Sequence, residues 1–266
     1  MSKPRGNKAL LIGLASAVVL VGCGQTRVDQ NFCPIDESPP RTTVLLLDTS
    51  DPLSPEHDSA LRRLVAEMYS LDLPGRSSDL NIAPGERLVV YELAEDVGAL
   101  EPALTLCAPG EHPSTWPWWR QLIEGRAIAL QRWSRLQETI DQMFAQAPAP
   151  PQARSPIIEA IGVIVPRYAP SRRSRTEESV PVHLVLYSDL LQHSDSLSHY
   201  GPYERAGEIL TTSRTRHLGT DLAGVEVSIY RLERARDARW QTVDHYYWWT
   251  MLIQAFDGQV IYQESI

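Results

Sequence analysis

Short apolar runs alternate along this chain with longer stretches in which apolar residues recur every three or four positions. The two patterns predict strands and helices in turn. Thr43–Leu47 (TVLLL) is continuous and partly β-branched, the signature of a strand covered on both faces, as in a parallel sheet. Arg87–Leu93 (RLVVYEL) and Val182–Tyr187 (VHLVLY) read the same way, and the latter is the clearest central strand. Leu104–Cys107 predicts a short strand ended by Pro109-Gly110. Val225–Leu232 (VEVSIYRL) alternates more and is placed nearer an edge, and Asp257-Gly258 turns into a last strand, Gln259–Tyr262.

Helices fall between these runs. Ser54-Pro55-Glu56 combines an N-cap hydroxyl, a Pro at the first helical position and an acid in the first turn. Leu61, Leu64, Val65 and Met68 follow on one face, and Pro74-Gly75 stops the segment. Trp116–Ala147 predicts one long helix, with Ala129, Trp133, Leu136, Ile140 and Met143 as its stripe, fading into a Pro-rich break at 147–151. Ser155-Pro156 opens a helix that buries Ile157, Ile158, Ile161 and Ile164. Ser171–Ser179 is a charged loop, Tyr203–Arg216 a further helix, and Trp240–Phe256 an aromatic-rich one. The alternation predicts an α/β fold: a doubly wound, mostly parallel sheet with helices on both faces. The Trp118/Trp119 and Trp248/Trp249 pairs are read first as helix-to-sheet packing, with ligand stacking as the lesser alternative.

The N-terminus stands outside this pattern. Lys3, Arg5 and Lys8 precede a charge-free apolar run, Ala9–Val21, that is too short for a membrane span of about 20 residues and fits the apolar core of a secretion signal. It ends in Leu20-Val21-Gly22-Cys23, which resembles the lipobox of bacterial lipoproteins. The resemblance implies cleavage before Cys23, which becomes the acylated N-terminus. Residues 1–22 are thus expected to be a lipoprotein signal peptide, 23–42 a polar, Pro-containing tether and 43–266 one domain. A membrane anchored through Cys23 and a cell-envelope location follow. Gly24, where Asp favours inner-membrane retention in such lipoproteins, leans towards an outer membrane where the source has one.

Charge removes one class of partner. All 33 acidic residues lie beyond position 22, against 22 of the 25 basic ones, so the expected mature chain carries about −11 with neutral His. That balance argues against nucleic acid. Beyond Cys23 two cysteines remain, Cys33 and Cys107, and export to an oxidising compartment makes a disulfide between them the first reading and two buried thiols the second.

Candidate chemistry sits at two strand ends. Asp48 follows TVLLL, and Asp189 follows LVLYS. Ligands of open α/β sheets bind beyond the carboxyl ends of the strands where strand order reverses, so these acids meet there if their strands are neighbours. Asp48-Thr49-Ser50 adds a hydroxyl at i+2, and Ser155 a second one at a helix start. Two carboxylates, two hydroxyls and water make an all-oxygen shell suited to Mg²⁺. Each residue also has a plainer reading: Ser54 and Ser155 as N-caps, and Asp48 and Asp189 as acceptors for turn amides. His193, Asp195 and His199 are read as loop residues, since no zinc-ligand spacing supports them.

On these residues the chain resembles the von Willebrand factor A family. That family's fold is doubly wound α/β, with a metal-ion-dependent adhesion site built from Asp-x-Ser-x-Ser after the first strand, a Thr before a helix and an Asp after the fourth strand. Asp48 and Ser50 match the first element, and Pro52 stands where its second Ser would be. Ser155-Pro156-Ile157 corresponds to the second element with Ser for Thr, and Ser188-Asp189 to the third. The resemblance implies a metal site of Asp48, Ser50, Ser155 and Asp189, weakened or abolished by Pro52, so that Mg²⁺ binds weakly or not at all. It also implies a non-enzymatic module that binds an envelope protein, not identified by the sequence, through its strand-end face. Two alternatives are a Mg²⁺-dependent PIN-like phosphodiesterase, which would need further converging acids, and a structural lipoprotein with a dead site.

Overall fold

The computed structural model describes residues 27–69, 80–123, 125–145, 150–169 and 179–266. The signal segment 1–22, the lipobox, Cys23, Gly24, the Pro74-Gly75 stop, Ala147–Ala149 of the Pro-rich break and most of the charged loop (170–178) lie outside the described residues. Six strands form one sheet: β1 Thr42–Leu47, β2 Arg87–Glu92, β3 Leu104–Cys107, β4 Val182–Ser188, β5 Val225–Arg231 and β6 Gln259–Ser265. Their order is β3-β2-β1-β4-β5-β6, parallel throughout except for the antiparallel edge strand β3. The chain winds outward from β1 on one side and then from β4 on the other, so order reverses between β1 and β4. This is the doubly wound sheet that the strand–helix alternation predicts.

The continuous apolar runs are explained by the two layers that cover them. Val44 and Leu46 of β1, Val89 and Tyr91 of β2, and Leu184 and Leu186 of β4 pack on one face. That face is covered by Ile157, Ile158, Ile161 and Ile164 of α4 (Ile157–Ile164) and by Trp249, Leu252 and Ile253 of α5 (Val243–Ala255). Leu45, Leu47, Leu88, Val90, Val185 and Tyr187 alternate onto the other face. There they meet Leu61, Leu64, Val65 and Met68 of α1 (Pro55–Met68), and Trp133, Leu136 and Ile140 of α3 (Arg126–Phe144). Each fully buried aliphatic side chain contributes about 1.5–3 kcal/mol. β1 and β4, buried along their whole length, therefore hold the sheet rigid under their C-terminal ends. Ser54 caps α1 by accepting from His57 N at 3.2 Å.

Several boundaries differ from the sequence reading. The expected helix 116–147 is two helices, α2 (Trp118–Ile123) and α3, with Gly125 capping the second; a residue without Cβ is a poor helix interior. The apolar stripe from Ala129 onward marks only α3. Trp118 and Trp119 are 74% and 53% exposed, so their reading as helix-to-sheet packing is corrected, whereas Trp248 and Trp249 are buried. Tyr203–Arg216 is not a regular helix: it holds one 3-10 turn, Ala206–Glu208, followed by turns leading to another at Arg216–Leu218. Thr211 and Thr215 hydroxyls donate to the carbonyls of Glu208 and Ile209, the local competition with the backbone that makes Thr a weak helix former. β6 runs on to Ser265.

Cys33 and Cys107 form a disulfide with Cα atoms 4.9 Å apart. Cys107 N also donates to Asn31 O at 2.9 Å, and Phe32 is buried in the same cluster as Leu88 of β2 and Leu106 of β3. Within the segment expected as a tether, residues 31–33 are thus fastened to β3.

Candidate functional site

The strand-end site begins with register. Leu47 pairs with Tyr187, and Asp48 N donates to Tyr187 O at 2.9 Å, which extends the β1–β4 ladder by one residue and sets Asp48 beside Ser188. Asp48 is buried. Its Oδ1 accepts from Ser50 N at 3.1 Å and Ser50 Oγ at 2.6 Å; its Oδ2 accepts from Ser188 Oγ at 2.6 Å and Ser155 Oγ at 3.1 Å. A carboxylate has about four acceptor positions, and all are taken here.

Ser155 reaches this position because two other residues do its expected work. A two-residue bridge fixes its backbone: Ser155 N donates to His193 O at 3.0 Å, and His193 N donates to Ser155 O at 2.9 Å. The N-terminus of α4 is capped by Gln192, whose Oε1 accepts from Ile158 N at 2.9 Å. The N-cap reading of Ser155 is therefore corrected: Pro156 holds the cap position, and the Ser155 hydroxyl is released to Asp48.

The turn after β4 is held as firmly. Leu190 has φ +64°, a left-handed conformation rare for a side chain of its size, and its amide donates to Ser188 Oγ. The Leu190 carbonyl accepts from Trp249 Nε1 at 2.8 Å and lies 3.1 Å from His245 Nε2 and 3.2 Å from His199 Nδ1. The two imidazoles meet each other at 2.9 Å. His199 belongs to a loop but is buried inside this clamp, which the sequence reading missed. Burial first, then His245, holds the His199 pKa down to about 3, and burial holds His245 at about 4. Both rings are therefore neutral near pH 7. His193 and Asp195 remain loop residues, and Asp195 pairs with Arg154 at 2.8 Å.

Asp189, aimed by this turn, faces a guanidinium. Its Oδ1 accepts from Leu191 N at 2.9 Å, and its Oδ2 lies 3.0 Å from Arg234 Nε, close enough for an ion pair but without hydrogen-bond alignment. The two side chains are 3% and 9% exposed. Burial, then the charge of Asp48, pushes the Asp189 carboxyl up to about 7, against the pull of the Leu191 amide and of Arg234. Arg234 Nη1 donates to Pro52 O at 3.2 Å. Gln241 locks the same loop: its Oε1 accepts from Arg234 N, and its Nε2 donates to Asp189 O and Leu232 O.

Two more acids join from the loops after β1 and β5. Asp51, Asp189 and Asp237 each place an oxygen within 4.8 Å of the others, a spacing that a divalent ion can span. Arg236 lies between the outer pair, with Nη2 against Asp51 Oδ2 and Nε 2.9 Å from Asp237 Oδ2. Of the sequence-predicted site, Asp48, Ser50 and Ser155 are in direct contact; Asp189 shares their strand end but turns to Arg234. Asp51, Arg234, Arg236 and Asp237 were missed, and Ser188 was read only as part of the third element with Asp189. For Arg234, Arg236 and Asp237 the signal was present: the run Glu233-Arg234-Ala235-Arg236-Asp237 follows a third parallel strand ending on the same side.

The divalent cation implied by the family resemblance fits this donor set poorly. The hydroxyl shell has suitable oxygens, but Asp48 has no free lone pair, and the positive charge at Asp51, Asp189 and Asp237 is supplied by two arginines. Around this cluster the surface carries Tyr200, 40% exposed, and Trp240, whose ring stands 6.1 Å from Tyr200 and under the Arg239 guanidinium at 4.9 Å. Burial, with the charges of Asp189, Asp237 and Asp51, pushes the Tyr200 hydroxyl up to about 12.

No protein-family model and no curated protein matches the chain. Among solved structures it is similar to proximal thread matrix protein 1 from the mussel byssus, with 9% identity over 81% of this chain and 46% of that one, at a TM-score of 0.36. A second structure of that protein, described as having a zinc-occupied MIDAS motif, is 10% identical over 82% and 47% of the two chains, at 0.35. The human COPII-coat protein Sec24c is 13% identical over 88% of this chain and 30% of its own, at 0.31. The chain thus spans about half the length of the byssal protein and less than a third of Sec24c.

Proposed function

We propose that the protein is a lipid-anchored envelope protein that binds another envelope protein through the face beyond the ends of β1, β4 and β5. The observation that carries this reading is the composition of that face. A rigid, charge-paired cluster of Asp51, Asp189 and Asp237 with Arg234 and Arg236 is bordered by Tyr200, Trp240 and Arg239, and Tyr, Trp and Arg are the residue types that dominate binding hot spots. The position of the face agrees with the A-domain resemblance. Anchoring rests on the lipobox ending at Cys23. A divalent ion at the face is weakly held or absent in this reading, because Pro52 contributes only its carbonyl and Arg234 already takes it.

Convergence of further acids is what the phosphodiesterase alternative requires, and Asp51 and Asp237 do converge with Asp189. Non-enzymatic binding is still favoured. Among the described residues three of the four acids are paired with arginine and the fourth accepts four hydrogen bonds, so the charge that a divalent ion would supply is already in place.

The test has two parts. Mass spectrometry of membrane-extracted protein should show an acylated N-terminal Cys23; an unmodified, full-length chain from a lipoprotein-processing host would remove the anchor. Affinity isolation from solubilised envelopes should recover a partner that Tyr200→Ala and Trp240→Ala lose together, with folding intact by circular dichroism. A partner retained by both variants would place binding elsewhere. Hydrolysis of bis-p-nitrophenyl phosphate with Mn²⁺ that Asp189→Asn abolishes would favour the enzyme.

A further inference from the structure

Arg234 stands at the centre of the strand-end site in a way that the family pattern does not include. It follows β5, its side chain is nine-tenths buried, and it spans both sides of the crevice where strand order reverses. Nε faces Asp189 Oδ2 after β4, and Nη1 donates to Pro52 O in the loop after β1. The residue that breaks the Asp-x-Ser-x-Ser pattern is thus used, through its carbonyl, as an acceptor for a cation. Arg236 extends the arrangement outward to Asp51 and Asp237. From these contacts we infer that Arg234 is the resident cation of the site: its guanidinium takes the role that a divalent metal would have, and the native chain is closed to that metal.

The geometry supports this from the metal's side. An ion bound to Asp189 Oδ2 at a usual Mg–O length of about 2.1 Å would lie within about 5 Å of Arg234 Nε, given the 3.0 Å contact. An arginine in a protein does not give up its proton to relieve such a repulsion. Binding would require the side chain to leave a site where its backbone and head are both fastened, by Gln241 and by Pro52. A lysine, a compact and strongly hydrated point charge, would not reproduce the fork that reaches Asp189 and Pro52 together. The inference concerns the same face as the proposed binding function but does not depend on whether a partner docks there.

A double-mutant cycle on the whole chain, read by urea unfolding with and without millimolar Mn²⁺, tests it. Arg234→Met leaves Asp189 buried without its partner guanidinium, and should raise the unfolding constant by about a hundredfold or more, as when one partner of a buried pair is removed. Adding Asp189→Asn to Arg234→Met should recover most of that loss. Wild type should show the same midpoint with and without Mn²⁺, and no calorimetric heat of binding. Additive effects of the two substitutions would overturn the inference. So would Mn²⁺ binding to wild type that Asp189→Asn abolishes. Where Arg234→Met does not fold, recovery of folding in the double variant supports the pairing. Arg234→Lys, which keeps the charge, should fold and ignore Mn²⁺; its stabilisation by Mn²⁺ would count against a resident cation.

Discussion

Mild acid should destabilise this fold well before its carboxylates are the issue. Three of the buried imidazoles bear on this: His183 in β4, 2.9 Å from Ser228 Oγ, and the His199–His245 pair on the Leu190 carbonyl. Burial, with the charge of Arg41, holds His183 down to about 4; His199 and His245 stand at about 3 and 4. All three are lowered in the folded chain, so the unfolded chain takes up protons first as pH drops. Stability is then fully present above the unfolded value of about 6.5 and is lost as pH falls towards the folded values. Each imidazole costs about 1.4 kcal/mol per pH unit in that window, or about 2 kcal/mol between pH 7 and pH 5. The pair gains its protons in steps that belong to both rings together. Asp189 works in the opposite sense: a carboxyl pushed up to about 7 stabilises the fold as it protonates, returning about 2 kcal/mol over the same interval. The net expectation is a loss of about 3–4 kcal/mol from pH 7 to pH 5, a large part of a typical domain's stability. Urea unfolding followed by tryptophan fluorescence at the two pH values measures it directly. His183→Asn, remote from the pair, should remove about a third of the histidine contribution. A midpoint that stays constant or rises from pH 7 to pH 5 would refute the reasoning, as would an imidazole of this set titrating near 6.5 by NMR.

Other expectations follow from single contacts. Ser155→Ala and Ser188→Ala each remove a hydroxyl from buried Asp48 and should cost about 1.5–3 kcal/mol in equilibrium unfolding, the upper range for a buried hydrogen bond; a change near zero would show that these hydroxyls do not hold Asp48. Cys33→Ser with Cys107→Ser opens a link between residues 74 apart and should cost about 4 kcal/mol in the chain-entropy model, checked by comparing oxidised and reduced protein. Ser54→Ala, which removes the cap of α1, should cost about 1 kcal/mol by the same measurement.

The sheet was legible in the sequence because its strands are buried on both faces and so read as unbroken apolar runs. Asp48 and Asp189 were legible because a single acid ending such a run stands out against it. Helix ends were less so. Nothing in the pattern from Trp116 to Ala147 separates an exposed tryptophan pair from a packed one, and Gly125 is a single residue in a helix-like context. The remainder of the site was hidden for a different reason. Ser155 looked like an N-cap because its local sequence is that of one, and only the long-range contact of Gln192 with Ile158 frees its hydroxyl. Arg234 and Pro52 are 182 residues apart, and no local spacing announces that the one donates to the other. The His199–His245 clamp, joining residues 46 apart, is likewise a tertiary fact.

The central claim is that the strand-end face is the docking face. It is tested most directly by photo-crosslinking in intact cells, with a photoreactive residue placed singly at Asp51, at Arg236 and, as a control, at exposed Ala83 before the opposite, N-terminal end of β2. The account predicts one shared adduct from Asp51 and Arg236, absent from Ala83 and lost when Tyr200→Ala is added. An adduct of the same mass from Ala83, or one from Asp51 and Arg236 that survives Tyr200→Ala undiminished, would contradict it.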